Sequence, residues 1–154
     1  MPIQQPNVIF RDFLVTQIVI EFIDQAPSAT AEAIVAQLRR YNDLSMPNDR
    51  QQCVLYCQDE QQQLIAGLVA RLQWQALQIE YLWVAEPYRR QGLGKRLIGK
   101  VEQLAIAQGC QFAYVDTFSF QAPTFYQALG YQQFACLEGF HGGQKRFYLR
   151  RSLA

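Results

Sequence analysis

The segment EPYRRQGLGKRLIGKVEQLA, residues 86–105, constrains the possible folds of this chain more than any other. Its second half repeats apolar residues at helical spacing, and the LQIEYLWVAEP that leads into it has the composition of a strand that Pro87 would end. Two glycines and four basic residues lie where the helix would begin: Gly92, Gly94, Arg89, Arg90, Lys95 and Arg96. The segment therefore predicts a strand, a glycine-containing turn and the start of a long helix.

Two known phosphate-binding loops do not fit this turn. The P-loop pattern G-x-x-x-x-G-K-[ST] fails because Arg89 stands at its first glycine and Arg96 at its hydroxyl residue. The dinucleotide pattern G-x-G-x-x-G fails because Leu97 stands at its third glycine. Cations in a first helical turn oppose the helix dipole, so they favour an anionic ligand, most naturally a pyrophosphate, at the exposed N–H groups. A contact with a nucleic-acid backbone stays open as an alternative.

Length and composition indicate one soluble domain. The chain has 154 residues, half of them hydrophobic, which is enough to bury a core without a metal or a disulfide. A formal net charge of +1 gives no reason to expect a nucleic-acid or membrane-surface protein. The four cysteines have no CxxC spacing and the single histidine is distant from them, so we expect no zinc site. No basic and apolar leader opens the chain, and we expect a cytoplasmic protein with reduced thiols.

Periodicity along the chain predicts the element order β-α-β-β-β-α-β-α-β-β. Residues before about Gln17 have the character of a peripheral lead-in, and a helix is predicted from Thr30, which can cap it. Strands are predicted in QIVIEFID, QCVLYCQ, QLIAGLVARLQ, LQIEYLWVAEP and QFAYVDTF, and in a closing hairpin of YQQFACLEG and KRFYLRRSL. The later helices are predicted from about Gly92 to Gly109 and in APTFYQALG. This order indicates an α+β fold, a mixed α/β layer with helices against one central sheet.

Two motifs, in this order, resemble those of the GNAT N-acetyltransferase superfamily. YRRQGLGKRLI resembles its acyl-coenzyme A signature, [QR]-x-x-G-x-[GA], with Arg89, Gly92 and Gly94 at the three defined positions. APTFYQALGY resembles its second motif, A-x-x-x-Y-x-x-x-G-[FY]. Ser119 departs from the asparagine that the family often has three positions before the alanine of that motif. The longer string DTFSFQAPTFYQALGY further resembles a group of bacterial GNAT proteins.

The resemblance extends from about Gln17 to Arg150 and implies the acyl-CoA N-acyltransferase fold over a single domain, residues 1–154. In that fold a central, mostly antiparallel sheet flanked by helices splays open, here between IEYLWV and AYVDTF, and the pantetheine arm of acetyl-CoA enters the split. No metal is implied. The residues implied to bind the coenzyme are Leu82, Trp83, Val84, Arg89, Arg90, Gln91, Gly92, Leu93, Gly94, Lys95, Arg96, Ser119, Ala122 and Tyr126.

The resemblance implies transfer of the acetyl group of acetyl-CoA to a primary amine of a small molecule or a peptide, by direct attack in a ternary complex. Tyr126 falls on the family's tyrosine and is the predicted proton donor to the leaving thiolate, with a purely core aromatic role as the alternative. Glu80 is the predicted base, because period two places it on the same side of its strand as Leu82 and Val84. It could equally be an ordinary salt-bridged or solvent-facing glutamate.

Further residues near the predicted site have hypothetical roles. Asp116 competes with Glu80 as the base or binds a cationic substrate. His141, in the turn FHGG, either borders the acceptor or is an ordinary surface residue of the loop. Tyr81 and Trp83 are predicted to pack between the sheet and a helix. The basic residues near the C-terminus are predicted to form a solvated strand face: Lys145, Arg146, Arg150 and Arg151.

Three functional hypotheses remain open. The preferred one is an N-acetyltransferase that takes acetyl-CoA and a small-molecule or peptide amine, and has no nucleic acid, membrane or metal as a partner. The second is a non-catalytic module of the same fold that binds the coenzyme as a sensor or binds a protein partner. The third is nucleic-acid binding through the basic helix start. The closing strands could also pair two subunits as a homodimer.

Overall fold

The computed structural model describes residues 10–12, 18–20, 22 and 28–154, which form two compact units, one ending at Pro47 and the other beginning at Asn48. The first unit contains a two-stranded antiparallel sheet and a helix. Its elements are β1 (Phe10–Asp12), β2 (Ile18–Ile20) and α1 (Ala29–Asp43). That the chain forms a single domain stays a prediction.

The sequence predictions for the first unit succeed in part. The strand in QIVIEFID is confirmed at Ile18–Ile20, whereas Gln17, Glu21, Ile23 and Asp24 lie outside the described residues. Strand β1 lies within the predicted lead-in and was not foreseen. The predicted cap of α1 is wrong by two residues, because Ser28, not Thr30, accepts a hydrogen bond from the first turn.

The second unit is built on a six-stranded sheet with the strand order β3-β4-β5-β6-β8-β7. Neighbouring strands are antiparallel except β5 and β6, which are parallel, and the predicted α+β architecture with a mostly antiparallel sheet is confirmed. The strands are β3 (Gln51–Gln58), β4 (Leu64–Gln73), β5 (Ala76–Val84), β6 (Phe112–Phe118), β7 (Gln132–Leu137) and β8 (Arg146–Ser152). The helices are α2 (Leu93–Ala107) and α3 (Pro123–Ala128).

One face of this sheet packs against α2. The helix buries Leu97, Ile98, Val101 and Ala105, which recur at helical spacing along one face. The predicted end of the helix is confirmed, because Gly109 follows it with a φ of +82°, a backbone conformation that glycine adopts without steric cost.

The parallel pair β5 and β6 separates halfway along its length. The pairing starts at Ala76 with Phe112 and ends at Ile79 with Val115, although β5 continues to Val84 and β6 to Phe118. Beyond the last pair, backbone groups of β5 that point toward β6 have no partner in the sheet. The predicted splay between these two strands is confirmed.

A β-bulge at Glu80 interrupts the alternation of side chains in β5. Val69 of β4 lies opposite Tyr81 while the next residue, Ala70, lies opposite Ile79, so Glu80 is the extra residue. Side chains packed toward α2 are therefore Leu77 and Ile79 before the bulge, and Leu82 and Val84 after it. Two predictions are thus wrong. Tyr81 and Trp83 do not pack against the helix but are largely exposed, and Glu80 does not share a side with Leu82 and Val84.

Candidate active site

The turn between β5 and α2 has the backbone of an anion-binding site. Gly92 precedes the helix with a φ of +82°, and the non-glycine Arg90 also has a positive φ, of +61°. The first helical hydrogen bond runs from the Arg96 N–H to the Gly92 carbonyl at 3.0 Å. Within the described chain, no side chain caps the N–H groups ahead of it, those of Leu93, Gly94 and Lys95. These groups can bind a ligand.

A cavity of about 740 Å³ opens at this helix start and runs along the end of β5 to α3. Its lining residues are Leu82, Trp83, Val84, Tyr88, Arg89, Arg90, Gly92, Leu93, Gly94, Lys95, Ala122, Phe125, Ala128 and Leu129. Most of the predicted coenzyme-binding residues are among them. Gln91, Arg96, Ser119 and Tyr126 are not, and Arg96 instead lines a second cavity between β3 and α2.

Gly94 lies close to the opposite wall of this cavity. A Cβ built on Gly94 would lie 3.2 Å from Cζ of Phe125 and 3.8 Å from Cδ2 of Leu82. The missing side chain therefore allows α2, α3 and the end of β5 to approach one another, and keeps the cavity wall open at the helix start.

Arg89 holds the turn to the strand that precedes it. Its Nε donates a hydrogen bond to the Val84 carbonyl at 3.0 Å, and the Gln91 side chain donates to the Pro87 carbonyl at 2.9 Å. The first defined residue of the predicted coenzyme signature thus shapes the loop, while Arg90 and Lys95 line the cavity with it.

Tyr126 lies in α3 behind the cavity wall. It is 6% exposed, and its ring packs edge-on against Phe125 at 5.1 Å and Tyr131 at 5.8 Å between centroids. Burial and then the charge of Asp116 raise the pKa of Tyr126 to about 12. Its hydroxyl is bonded to no described residue, and no described side-chain polar atom is both fully buried and unpaired, so the oxygen keeps some accessible surface.

A carboxylate stands on each side of the split between β5 and β6. On the β5 side, Arg71 of β4 forms an ion pair with Glu80 through Oε1, with the two side chains 25% and 13% exposed. On the β6 side, Arg146 of β8 donates from Nε to Oδ2 of Asp116 at 2.7 Å, and this hydrogen bond raises the pKa of Arg146. Neither arginine was predicted to act at the site.

The solvated basic face predicted for the closing strands is wrong for two of its four members, whereas Lys145 and Arg150 are exposed. Arg146 pairs with Asp116, and Arg151 pairs with the buried Glu102 of α2, with NH1 3.0 Å from Oε2. Glu102 also accepts a hydrogen bond from the Tyr131 hydroxyl at 2.8 Å. These bonds fasten β8 and the segment after α3 to α2. Sequence spacing gave no signal for them, because the partners are far apart in the chain.

The remaining predicted residues lie at the closing hairpin. The Ser119 hydroxyl donates to the Gln144 side chain at 2.6 Å and accepts a hydrogen bond from the Lys145 N–H at 3.1 Å, which ties the end of β6 to the turn before β8. His141 is exposed in a 3-10 turn there. The roles predicted for Ser119 and His141 in binding stay predictions.

Two absences hold for residues 10–12, 18–20, 22 and 28–154, the part of the chain that the structure describes. No group of three or more His, Cys, Asp or Glu residues there is arranged to hold a metal ion. No helix there is long and apolar enough to span a membrane.

Two solved structures of known proteins resemble this chain. A crystal structure of an acetyltransferase from Bacillus cereus matches with a TM-score of 0.75 and 26% identity, over 85% of this chain and 96% of that one. An aminoglycoside 6'-N-acetyltransferase complexed with coenzyme A matches with a TM-score of 0.60, over 90% of this chain and 98% of that one. Its 16% identity supports a common fold and nothing more.

Sequence comparison gives the family. The blasticidin-S acetyltransferase of Streptomyces morookaense is 42% identical over 89 residues, which are 57% of this chain and 65% of that protein, so the match spans less than two thirds of that relative. The family model described as Acetyltransferase (GNAT) family matches residues 17–131, more than half of the chain. The fold, the glycine-containing start of α2 and the match to the family model agree, and the chain belongs to the GNAT acetyltransferase family.

Proposed function

We propose that this acetyl-CoA-dependent N-acetyltransferase transfers the acetyl group to a primary amine of a small molecule, by direct attack in a ternary complex. The observation that carries the proposal is that the cavity and the split between β5 and β6 meet. The cavity at the uncapped start of α2 reaches the end of β5, where β5 has separated from β6 after Ile79 and Val115. The name of the blasticidin-S acetyltransferase relative supports a small-molecule acceptor.

The helix start and the split fit acetyl-CoA. Its diphosphate would accept hydrogen bonds from the N–H groups of residues 93–95, with Arg90 and Lys95 supplying positive charge. The pantetheine arm would bind beside residues 80–84, where backbone groups of β5 lack sheet partners. The coenzyme supplies an activated thioester, and the protein supplies position and charge.

Glu80 acts as the base in this proposal. The bulge sets Glu80 immediately after Ile79, the last residue of β5 that pairs with β6, and its carboxylate contacts Arg71 of β4. Arg71 holds one carboxylate oxygen and leaves the other free to accept the ammonium proton of the acceptor, directly or through water. The neutral amine then attacks the thioester carbon.

Tyr126 stabilises the leaving thiolate. Its pKa of about 12 lies well above that of a thiol, near 8.5, so complete transfer of its proton to sulfur is unfavourable. We therefore assign it the role of a hydrogen-bond donor to the developing charge. This modifies the sequence-based expectation of a proton donor, and the proton that finally neutralises the thiolate comes from solvent or from protonated Glu80.

The experiment is a thiol-release assay with acetyl-CoA and a panel of primary amines, combined with thermal melting. We expect acetyl-CoA to raise the melting temperature and at least one amine to accelerate thiol release above the rate of hydrolysis. Stabilisation by acetyl-CoA without acetyl transfer to any amine would favour the non-catalytic coenzyme-binding module. A cytoplasmic location and a homodimer stay predictions.

A further inference from the structure

Tyr131, Glu102 and Arg151 form a polar cluster that the proposed chemistry does not use. The Tyr131 hydroxyl, on a residue that is 2% exposed, donates a hydrogen bond to Oε1 of Glu102 at 2.8 Å. Arg151 of β8 donates to both oxygens of that carboxylate, at 3.0 and 3.3 Å. Glu102 is the only buried charged residue among those that the structure describes. Because buried polar groups rigidify their surroundings when all of them are paired, this cluster is a rigid anchor in the interior.

The end of helix α3 joins Tyr131 to Tyr126. The Tyr131 N–H donates to the Tyr126 carbonyl at 3.1 Å. The N–H of Gly130, whose φ is +88°, donates to the Gln127 carbonyl at 2.9 Å. These two bonds and the left-handed glycine are those of a Schellman motif, in which the side chains of the first and last residues commonly touch. Here those side chains are the two tyrosine rings, whose centroids are 5.8 Å apart, so the position of the Tyr126 ring depends on that of Tyr131.

The polar cluster also connects Tyr126 to the helix that begins at the coenzyme cavity. Helix α3 has six residues, and a helix of that length is not stable by itself. Glu102 lies in α2, and the first residues of α2 line the cavity. By holding the Tyr131 hydroxyl, this carboxylate fixes the end of α3 relative to α2.

We propose that Tyr131 is a positioning residue that acts through Tyr126, because its hydrogen bond to Glu102 keeps the Tyr126 hydroxyl directed at the sulfur of the thioester. The inference rests on the proposed acetyl transfer and on the role given there to Tyr126. Loosening Tyr131 would misdirect the hydrogen bond to the developing thiolate. It would leave intact the N–H groups of residues 93–95, which are proposed to bind the diphosphate. The polar cluster therefore acts on kcat and not on the binding of acetyl-CoA.

The test is a double-mutant cycle on kcat that combines Tyr131→Phe with Tyr126→Phe. Tyr131→Phe keeps the ring and the backbone hydrogen bond, and removes only the hydroxyl that binds Glu102. We expect it to lower kcat about tenfold with an unchanged KM for acetyl-CoA, because a small displacement at the reacting atoms is costly. In the Tyr126→Phe background it should change kcat by less than about twofold, because the hydroxyl that it positions is absent.

Substitutions of Glu102 test the same link from α2. Glu102→Gln keeps an oxygen that can accept the Tyr131 hydrogen bond and should retain about half of the wild-type kcat or more. Glu102→Leu removes that acceptor and should lower kcat as Tyr131→Phe does. The matched control is Ile98→Val, which removes a buried methyl group from the same helix without altering a polar group. It should lower the melting temperature and leave kcat unchanged in both backgrounds.

An equally large loss of kcat from Tyr131→Phe in the wild type and in Tyr126→Phe would show a general structural effect and overturn the inference. Unchanged kcat in Tyr131→Phe would also overturn it, and both results would leave the proposed function standing. If Glu102→Leu does not fold, the cycle on the two tyrosines decides. No thiol release by the wild type with any amine would reject both the inference and the proposed function.

Discussion

The chemistry that we propose for Tyr126 differs from the chemistry that its motif predicts. The motif predicts a proton donor, but burial and the neighbouring Asp116 make the hydroxyl a weaker acid than an exposed tyrosine. Because the pKa of about 12 lies well above that of a thiol, near 8.5, we propose that Tyr126 donates a hydrogen bond to the thiolate instead of transferring its proton.

Replacing Tyr126 with Phe should lower kcat by about 10- to 100-fold, the value of one hydrogen bond to a charged group. Affinity for acetyl-CoA should change little, because the ring that packs on Phe125 and Tyr131 is retained. Steady-state kinetics and calorimetric titration measure the two effects. Unchanged turnover would exclude Tyr126 from the mechanism.

Replacing Glu80 with Gln should remove the acidic limb of the kcat–pH profile, because this limb reports the base in the bound complex. The variant also leaves the largely buried Arg71 without its counter-ion, at a cost of about 1 to 3 kcal/mol in the free energy of unfolding. Kinetics must therefore be measured below the melting transition. An acidic limb that persists at the same pH would assign the base to another group.

The residues that we propose to contact a ligand are visible in the sequence, whereas the residues that position the two carboxylates are not. Gly92, Gly94 and Tyr126 belong to short motifs, and a motif is visible in one sequence. Arg71 and Arg146 act through neighbouring strands, and their roles depend on a register that no local pattern reports.

At the scale of elements, helix α2 contains two glycines with different surroundings, one close to a neighbouring ring and one in open space. At Gly94, a methyl group would meet the Phe125 ring at 3.2 Å, in the cavity wall. At Gly99, in the middle of the same helix, nothing lies within 4 Å of an added Cβ. Neither residue has a positive φ.

Gly94→Ala should therefore raise the KM for acetyl-CoA severalfold, because the added methyl group crowds the Phe125 ring in the cavity wall. Gly99→Ala is the matched control, and should stabilise the protein by about 0.5 to 1 kcal/mol with an unchanged KM. Chemical denaturation and kinetics on both variants measure this. Equal KM values in the two variants would contradict the role given to Gly94.

The number and order of the elements after α1 can be predicted from periodicity, but periodicity does not predict which side chains of β5 are buried. Alternation from Leu77 and Ile79 predicts Tyr81 and Trp83 on the buried side, and one extra residue at Glu80 reverses this for the rest of β5. A bulge has no reliable signature in one sequence, because it is set by the partner strand. The same bulge sets Glu80, the base in our proposal, immediately after the last residue of β5 that pairs with β6.

At the scale of the whole molecule, two buried tyrosines link stability to alkaline pH. Burial raises the pKa of Tyr126 and of Tyr131, and the charge and hydrogen bond of Glu102 raise that of Tyr131 further. Below pH 10 both states keep these protons, so the contribution to stability is constant. Above pH 10 the unfolded chain ionises first and binds fewer protons, so stability falls with rising pH.

Between pH 10 and about 12, the wild type should lose about 1.4 kcal/mol per pH unit more than Tyr126→Phe. Denaturant titrations at several pH values measure this difference, which cancels contributions from the cysteines and lysines. Tyr56→Phe is the control, because Tyr56 is 62% exposed. If the free energy of unfolding depends on pH in the same way for the wild type and Tyr126→Phe, folding does not raise the pKa of Tyr126.

The central claim is that acetyl-CoA binds across the start of α2 and into the opening between β5 and β6. A crystal structure of the protein with acetyl-CoA tests this most directly. We predict the diphosphate within hydrogen-bond distance of the N–H groups of residues 93–95, and the thioester between Glu80 and Tyr126. A coenzyme bound elsewhere, or neither density nor heat of binding at saturating concentration, would contradict the account.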